Sequence, residues 1–170
     1  TAWVMPGDIT STMAIIEFND ANVVEYIDFK IVAGKLTAVC TDATVAQWSI
    51  TSPAVDVPAH KWTHVALTHD GVRPYLYVNG IRVVETLTTM TTPATWFNPL
   101  DGIDVASIGA SSIGGAGAFS EEFVGGISDI KYYNTTLTAA QILDDHNGTI
   151  LTTGLLAWYD MDGLTDKAGA

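Results

Sequence analysis

Lys61-Trp62-Thr63-His64-Val65-Ala66-Leu67-Thr68-His69-Asp70-Gly71 runs through Val72-Arg73-Pro74 into Tyr75-Leu76-Tyr77-Val78-Asn79-Gly80-Ile81-Arg82-Val83-Val84. Side chains of an extended strand alternate between faces. Trp62, His64, Ala66 and Thr68 therefore share one face, and Thr63, Val65, Leu67 and His69 the other. Asp70-Gly71 supplies a turn. Asn79-Gly80 then folds the second apolar run back on Ile81 to Val84, because a type I′ turn needs positive φ at both central residues and Asn-Gly tolerates it. The stretch predicts an antiparallel meander.

Further β runs are expected at 13–18, 23–32, 35–40, 47–50, 105–110 and 123–133, separated by turn residues. This spacing leaves no room for alternating helices, so the fold class is all-β: an antiparallel two-sheet sandwich. Within 23–31 the alternation points Val23, Ile27, Phe29 and Ile31 inward, and Asp28 and Lys30 outward. One short helix is expected near the C-terminal end. Thr138 is its N-cap, Gln141 completes a capping box, and Leu137 with Ile142 forms a hydrophobic staple. Asn147-Gly148 stops it.

The strand from Trp62 resembles the W-x-H-V-A-L-T-x-D-G…L-Y-V-N-G signature of the laminin G-like (concanavalin A-like) family. Phe123-Val124-Gly125-Gly126-Ile127-Ser128-Asp129-Ile130-Lys131-Tyr132-Tyr133-Asn134 with Leu137-Thr138-Ala139-Ala140-Gln141-Ile142 resembles its closing strand and helix. Ala2-Trp3-Val4 extends the match, which covers roughly residues 1 to 148. The resemblance implies a jelly-roll sandwich over 1–150. Gly154-Leu155-Leu156-Ala157-Trp158-Tyr159-Asp160-Met161-Asp162-Gly163 is similar to the opening of such a repeat. Residues 151–170 are thus either a closing strand of the same sandwich or the start of a following repeat.

The chain has 170 residues, 48% hydrophobic and only 15% charged, with a formal charge of −12. That is enough for one well-buried domain. The acidic balance disfavours nucleic acid and anionic membrane surfaces. No apolar run reaches the ~20 residues of a membrane span, so membrane insertion is not expected. Cys40, the single cysteine, alternates as a core residue and excludes an internal disulfide.

Acidic side chains leave calcium as the expected cofactor. The family resemblance implies Asp129, Asp162 and Asp166 as one Ca²⁺ set, with Ser128 standing where the family has an aspartate. Asp101 and Asp104 in the loop 98–104, with Glu121 or Glu122 nearby, form a second. His60, His64 and His69 fit no zinc spacing. Hydrolysis would need two carboxylates on one cleft, and the E-x-D-x-E strand of sandwich glucanases is absent. Sugar recognition needs aromatic platforms with planar polar groups. Trp48, Trp96, Phe97, Tyr75 and Tyr77 are available, and Trp96-Phe97-Asn98, between Pro93 and Pro99, is the expected ligand contact. Trp3, Trp62 and Trp158 are expected in the interior.

These readings converge on a non-catalytic recognition or adhesion module of an extracellular, cell-surface or virion-surface assembly. Its expected partner is a glycan or glycosylated surface. Two alternatives stand beside it: a structural decoration domain contacting neighbouring protein of a larger assembly, and a glycoside hydrolase.

Overall fold

A computed structural model describes residues 1–20, 24–112 and 119–161. Strands β1 (Ala2–Pro6), β2 (Thr12–Asn19), β3 (Tyr26–Val32), β4 (Lys35–Asp42), β5 (Val45–Thr51), β6 (Thr63–His69) and β7 (Pro74–Val78) come first. They are followed by β8 (Ile81–Arg82), β9 (Thr86–Met90), β10 (Val105–Ile108), β11 (Gly125–Ser128), β12 (Ile130–Tyr133), helix α1 (Ala139–His146) and β13 (Leu155–Tyr159). One sheet has the order β11-β1-β6-β7-β8 and the other β10-β2-β3-β4-β5-β9; β12 and β13 form a two-stranded ribbon. The pairings are antiparallel throughout.

The meander is present as expected. Asn79 and Gly80 take φ of 50° and 77° between β7 and β8. Gly80 is needed a second time, since a Cβ there would lie 2.8 Å from Leu143 Cδ1 on α1. Ala33-Gly34 and Ala43-Thr44 make two more left-handed pairs at the β3–β4 and β4–β5 connections. The second of these does so without glycine, at a steric cost that the flanking ladder must offset.

The core lies between the sheets. Met13, Ile15, Ile27, Phe29, Ile31, Leu36, Ala38, Cys40, Trp48 and Ile50 from one sheet meet Val4, Val65, Leu76 and Val78 from the other. Burial pushes the Cys40 thiol up to about 12, so it is an inert packing group. A second, smaller cluster of Ala66, Tyr77, Leu137 and Ile142 seats α1 on the outer face of the five-stranded sheet. The capping box at Thr138 and Gln141 is formed in both directions. Asp145, buried on α1, accepts from Lys131 Nζ at 2.7 Å and from His64 Nε2 at 3.1 Å. This polar lock crosses from helix to sheet.

Two expectations are corrected. The run 123–133 is not one strand: Asp129 takes φ 49°, breaking it into β11, which joins the five-stranded sheet, and β12, which joins the ribbon. Trp62 is not interior but 43% exposed. It precedes β6 on the face that α1 covers only in part, while Trp3 and Trp158 are half-buried.

Candidate functional site

Strand β3 alternates as expected, but its outward face is not simply solvated. Ile27, Phe29 and Ile31 enter the core, whereas Asp28, on the opposite face, is also fully buried. Its register partner across the ladder is Glu17 of β2, likewise without exposure. Two carboxylates thus face each other on the outer surface of the six-stranded sheet.

Ser112 and Glu121, both after β10, reach over them. Ser111 and Ser120 bridge backbone to backbone, and Ala14 N donates to Glu121 O at 2.7 Å. Glu121, held at φ 49°, returns its carboxylate over β3, where Lys30 Nζ donates to both its oxygens at 3.2 and 3.0 Å. Lys30 Nζ also lies 2.6 Å from Asp28 Oδ2, an ion pair without hydrogen-bond alignment. Glu17 Oε1 accepts from Asn19 Nδ2 and from Ser112 N and Oγ, the last two at 3.0 and 3.2 Å. Among the described residues, Glu17 Oε2 and Asp28 Oδ1 are buried with no hydrogen-bond partner.

Burial pushes the Asp28 carboxyl up to about 6 against the pull of Lys30, and Glu121 and Glu17 add to the rise. For Lys30, burial works to lower the ammonium, but the carboxylates of Asp28 and Glu121 outweigh it and raise it. A carboxyl whose folded value exceeds its unfolded one contributes stability at low pH that is lost as pH rises through the folded value, here between about 4 and 6. Above that window ionised Asp28 costs the fold on the order of 1–3 kcal/mol. Asp28→Asn is accordingly expected to raise stability by about 1–2 kcal/mol at pH 8, with the gain vanishing near pH 4. Urea melts at both pH values check this. Equal destabilisation at both would contradict it.

Chemically, Lys30 and Glu121 are the groups this cluster presents to water, with Asp28 and Glu17 backing them. The face continues outward through hydroxyls, Thr37 Oγ1 donating to Thr51 Oγ1 at 3.3 Å. The arrangement offers one cation and one carboxylate beside a row of hydroxyls, suited to a polyhydroxylated ligand. Glycosidic hydrolysis needs a carboxyl pair open to substrate and water, and Glu17 and Asp28 are sealed.

The residues expected from sequence lie elsewhere. The loop between β9 and β10 links the two edge strands of the six-stranded sheet and closes one end of the core. Trp96 is half-buried there, stacked on Trp48 at 5.9 Å and on His69 at 5.0 Å. Trp48 is fully buried and its Nε1 donates to Thr95 O at 2.7 Å. Phe97 packs edge-on against Phe18 at 4.9 Å and remains 37% exposed; Asn98 is exposed. Asp101 and Asp104 are exposed on the same loop, which is tied down by Gly102 N donating to Glu25 Oε2 and Asp104 N to Asn19 O. Glu121 is engaged by Lys30 instead of by this loop.

Asp129 accepts at Oδ1 from Trp158 Nε1 at 2.9 Å, while Asp162 and Asp166 lie outside the described residues. Among the described residues no three His, Cys, Asp or Glu side chains converge as a metal site.

The buried cluster itself was missed by sequence reasoning. Its one signal was Asp28-x-Lys30 on the outward phase of an otherwise apolar strand. Glu17 and Glu121 carried none, being distant in the chain.

The family model described as the concanavalin A-like lectin/glucanases superfamily matches residues 1–143. No curated protein matches the chain. Among solved structures, the CBM40 of Ruminococcus gnavus IT-sialidase, bound to α2,3-sialyllactose, aligns with a TM-score of 0.66 at 13% identity, covering 85% of this chain and 79% of that one. The same module bound to α2,6-sialyllactose gives 0.66 at 13%, covering 84% and 78%. A protein of Bacteroides ovatus, provisionally described as carbohydrate-binding, gives 0.59 at 17%, covering 99% of this chain and 54% of that one. At such identities the likeness is one of fold.

Proposed function

The chain belongs to the concanavalin A-like lectin/glucanases superfamily, and from that premise we propose that it is a non-catalytic glycan-recognition module of an extracellular or surface assembly. The observation that carries this reading is the Lys30–Asp28–Glu121–Glu17 cluster. Folding does not require four ionisable groups on the outward phase of β2 and β3 and at position 121, and burying Asp28 there costs stability. Groups held at a cost to folding are candidates for function. The fold neighbours support the ligand class, since one of them is a carbohydrate-binding module seen with both α2,3- and α2,6-sialyllactose.

In this reading Lys30 and Glu121 contact the sugar and Asp28 and Glu17 orient them, while Phe97 and Asn98 of the end loop are a separate contact. The test is a glycan panel, sialyllactoses included, against the wild-type chain, Lys30→Met and Glu121→Gln. Binding to at least one glycan is expected, weakened roughly tenfold or more by either change, with unaltered circular dichroism. No binding across the panel, or binding indifferent to both substitutions, removes the proposal. Calcium dependence is a separate element, resting on Asp129 with Asp162 and Asp166. The same titrations and thermal melts repeated with EDTA decide it, and no change would remove the ion.

A structural role is the second reading. Ile81 of β8, Val84 of the connection that follows and Leu87 of β9 are exposed at 68%, 84% and 45%, β8 and β9 being edge strands of the two different sheets, and exposed apolar edges suit contact with an adjoining protein. Copurification with a shell protein in the absence of any glycan binding would favour it.

A further inference from the structure

The outer face of the five-stranded sheet is covered unevenly. Helix α1 protects its centre through Ala66, Tyr77, Leu137 and Ile142. Toward β1 and β11 the cover ends, leaving an open groove of about 320 Å³ lined by Trp3, Trp62, Ser128 and Asp129. Ser128, Trp3 and His64 lie side by side across β11, β1 and β6.

This groove is a constructed surface. Trp62 is exposed yet fixed, because its indole rests against the backbone of Gly126. A Cβ at that position would come within 2.8 Å of Cη2 and 3.0 Å of Cζ2. Trp3 forms the floor, stacked on His146 at 5.4 Å with an interplanar angle of 27° and edge-on to His64. At the far side Asp129 sits in the left-handed region, where a non-glycine residue is strained. Trp158 Nε1 donates to its Oδ1 at 2.9 Å and so orients the carboxylate. Two indoles and an oriented carboxylate thus converge on one depression.

We propose that this groove is a second saccharide site, taking a neutral pyranose whose C–H face stacks on Trp62 and whose hydroxyls donate to Asp129. The electron-rich indole face attracts the positively polarised C–H bonds of a sugar. A carboxylate is an acceptor-only partner for hydroxyls, and charge-assisted bonds of that kind are the strong ones. Selection for neutral sugars follows from the same carboxylate within a chain of net charge −12, which repels anionic ligands. The groove lies on the opposite side of the sandwich from the Lys30 cluster and does not depend on it.

The indole N–H resonances of the full chain, assigned by single Trp→Phe changes, read this directly. Lactose, cellobiose, mannobiose and xylobiose are the neutral probes and 3′-sialyllactose the anionic one. At least one neutral disaccharide is expected to shift the Trp62 and Trp3 signals saturably while the buried Trp48 signal stays in place. Trp62→Ala should abolish the shift, Trp62→Phe retain part of it, and Asp129→Asn weaken it roughly tenfold. Lys30→Met should leave it intact. The proposal is overturned if no neutral probe moves these signals, if the shift survives Trp62→Ala, or if only sialyllactose produces it.

Discussion

Asp145→Ala is expected to lower the stability of this domain by about 3–5 kcal/mol. Asp145 is buried on α1 and receives Lys131 at 2.7 Å and His64 at 3.1 Å. Removing it strands the Lys131 ammonium in a dry site and leaves His64 Nε2–H without an acceptor, while His64 Nδ1 is already unpartnered. Losing one member of a buried pair is far more damaging than replacing both. The double change Asp145→Ala with Lys131→Met should therefore recover much of the loss. Chemical unfolding of the three variants checks this, and a single variant within about 1 kcal/mol of wild type would refute the lock.

The same groups set the acid limb of stability. Burial works to raise the Asp145 carboxyl, but hydrogen bonds from His64 and Lys131 outweigh it and hold it well below the ordinary range. The stability it contributes is present above about pH 4 and is lost as pH falls further. Burial lowers the His64 imidazole against the opposing pull of Asp145. An unfolded histidine takes up its proton from about pH 6.5 downward, so stability begins to decline there. Asp28 acts with the opposite sign between about 4 and 6, which is why Asp28→Asn and Asp145→Ala should have pH profiles that diverge.

Trp96→Ala is expected to cost about 3 kcal/mol, equivalent to a fall of roughly 10 °C in Tm. Its indole stacks on Trp48 and His69 and closes the end of the sandwich over the Trp48 Nε1–Thr95 O bond. Truncation opens a cavity beside a fully buried tryptophan, and lost aromatic stacking adds to lost burial. Phe97→Ala, at a half-exposed ring, should cost about 1 kcal/mol. Differential scanning calorimetry separates the two, and equal melting temperatures would show that the loop does not close the core. A loss of glycan binding in Trp96→Ala would accordingly report folding, so Phe97 and Asn98 are the informative positions on this loop.

Local patterns were legible because their causes are local. Asn79-Gly80 specifies positive φ at two positions, Thr138 and Gln141 satisfy each other's backbone donors, and strict alternation in β3 and β6 separates core from outer face. Trp62 was misplaced because alternation tells which face a side chain joins, not whether anything covers that face. The break at Asp129 carries no sequence signal, because β11 and β12 form one continuous run of residues. Only their different pairing partners divide them. Ala43-Thr44 turned without any of the residues that announce a turn.

From the residues in order came the all-β class, the hairpins, the helix with its caps and the family, since each depends on neighbours a few positions apart. Tertiary structure alone set Glu17 opposite Asp28, returned Glu121 to Lys30, stacked Trp96 on Trp48 and left Trp62 above Gly126 facing water. Those groups lie from about ten to about ninety residues apart in the chain. Strand register and the return of Glu121 over β3, which no local pattern encodes, are what bring their charges and rings together.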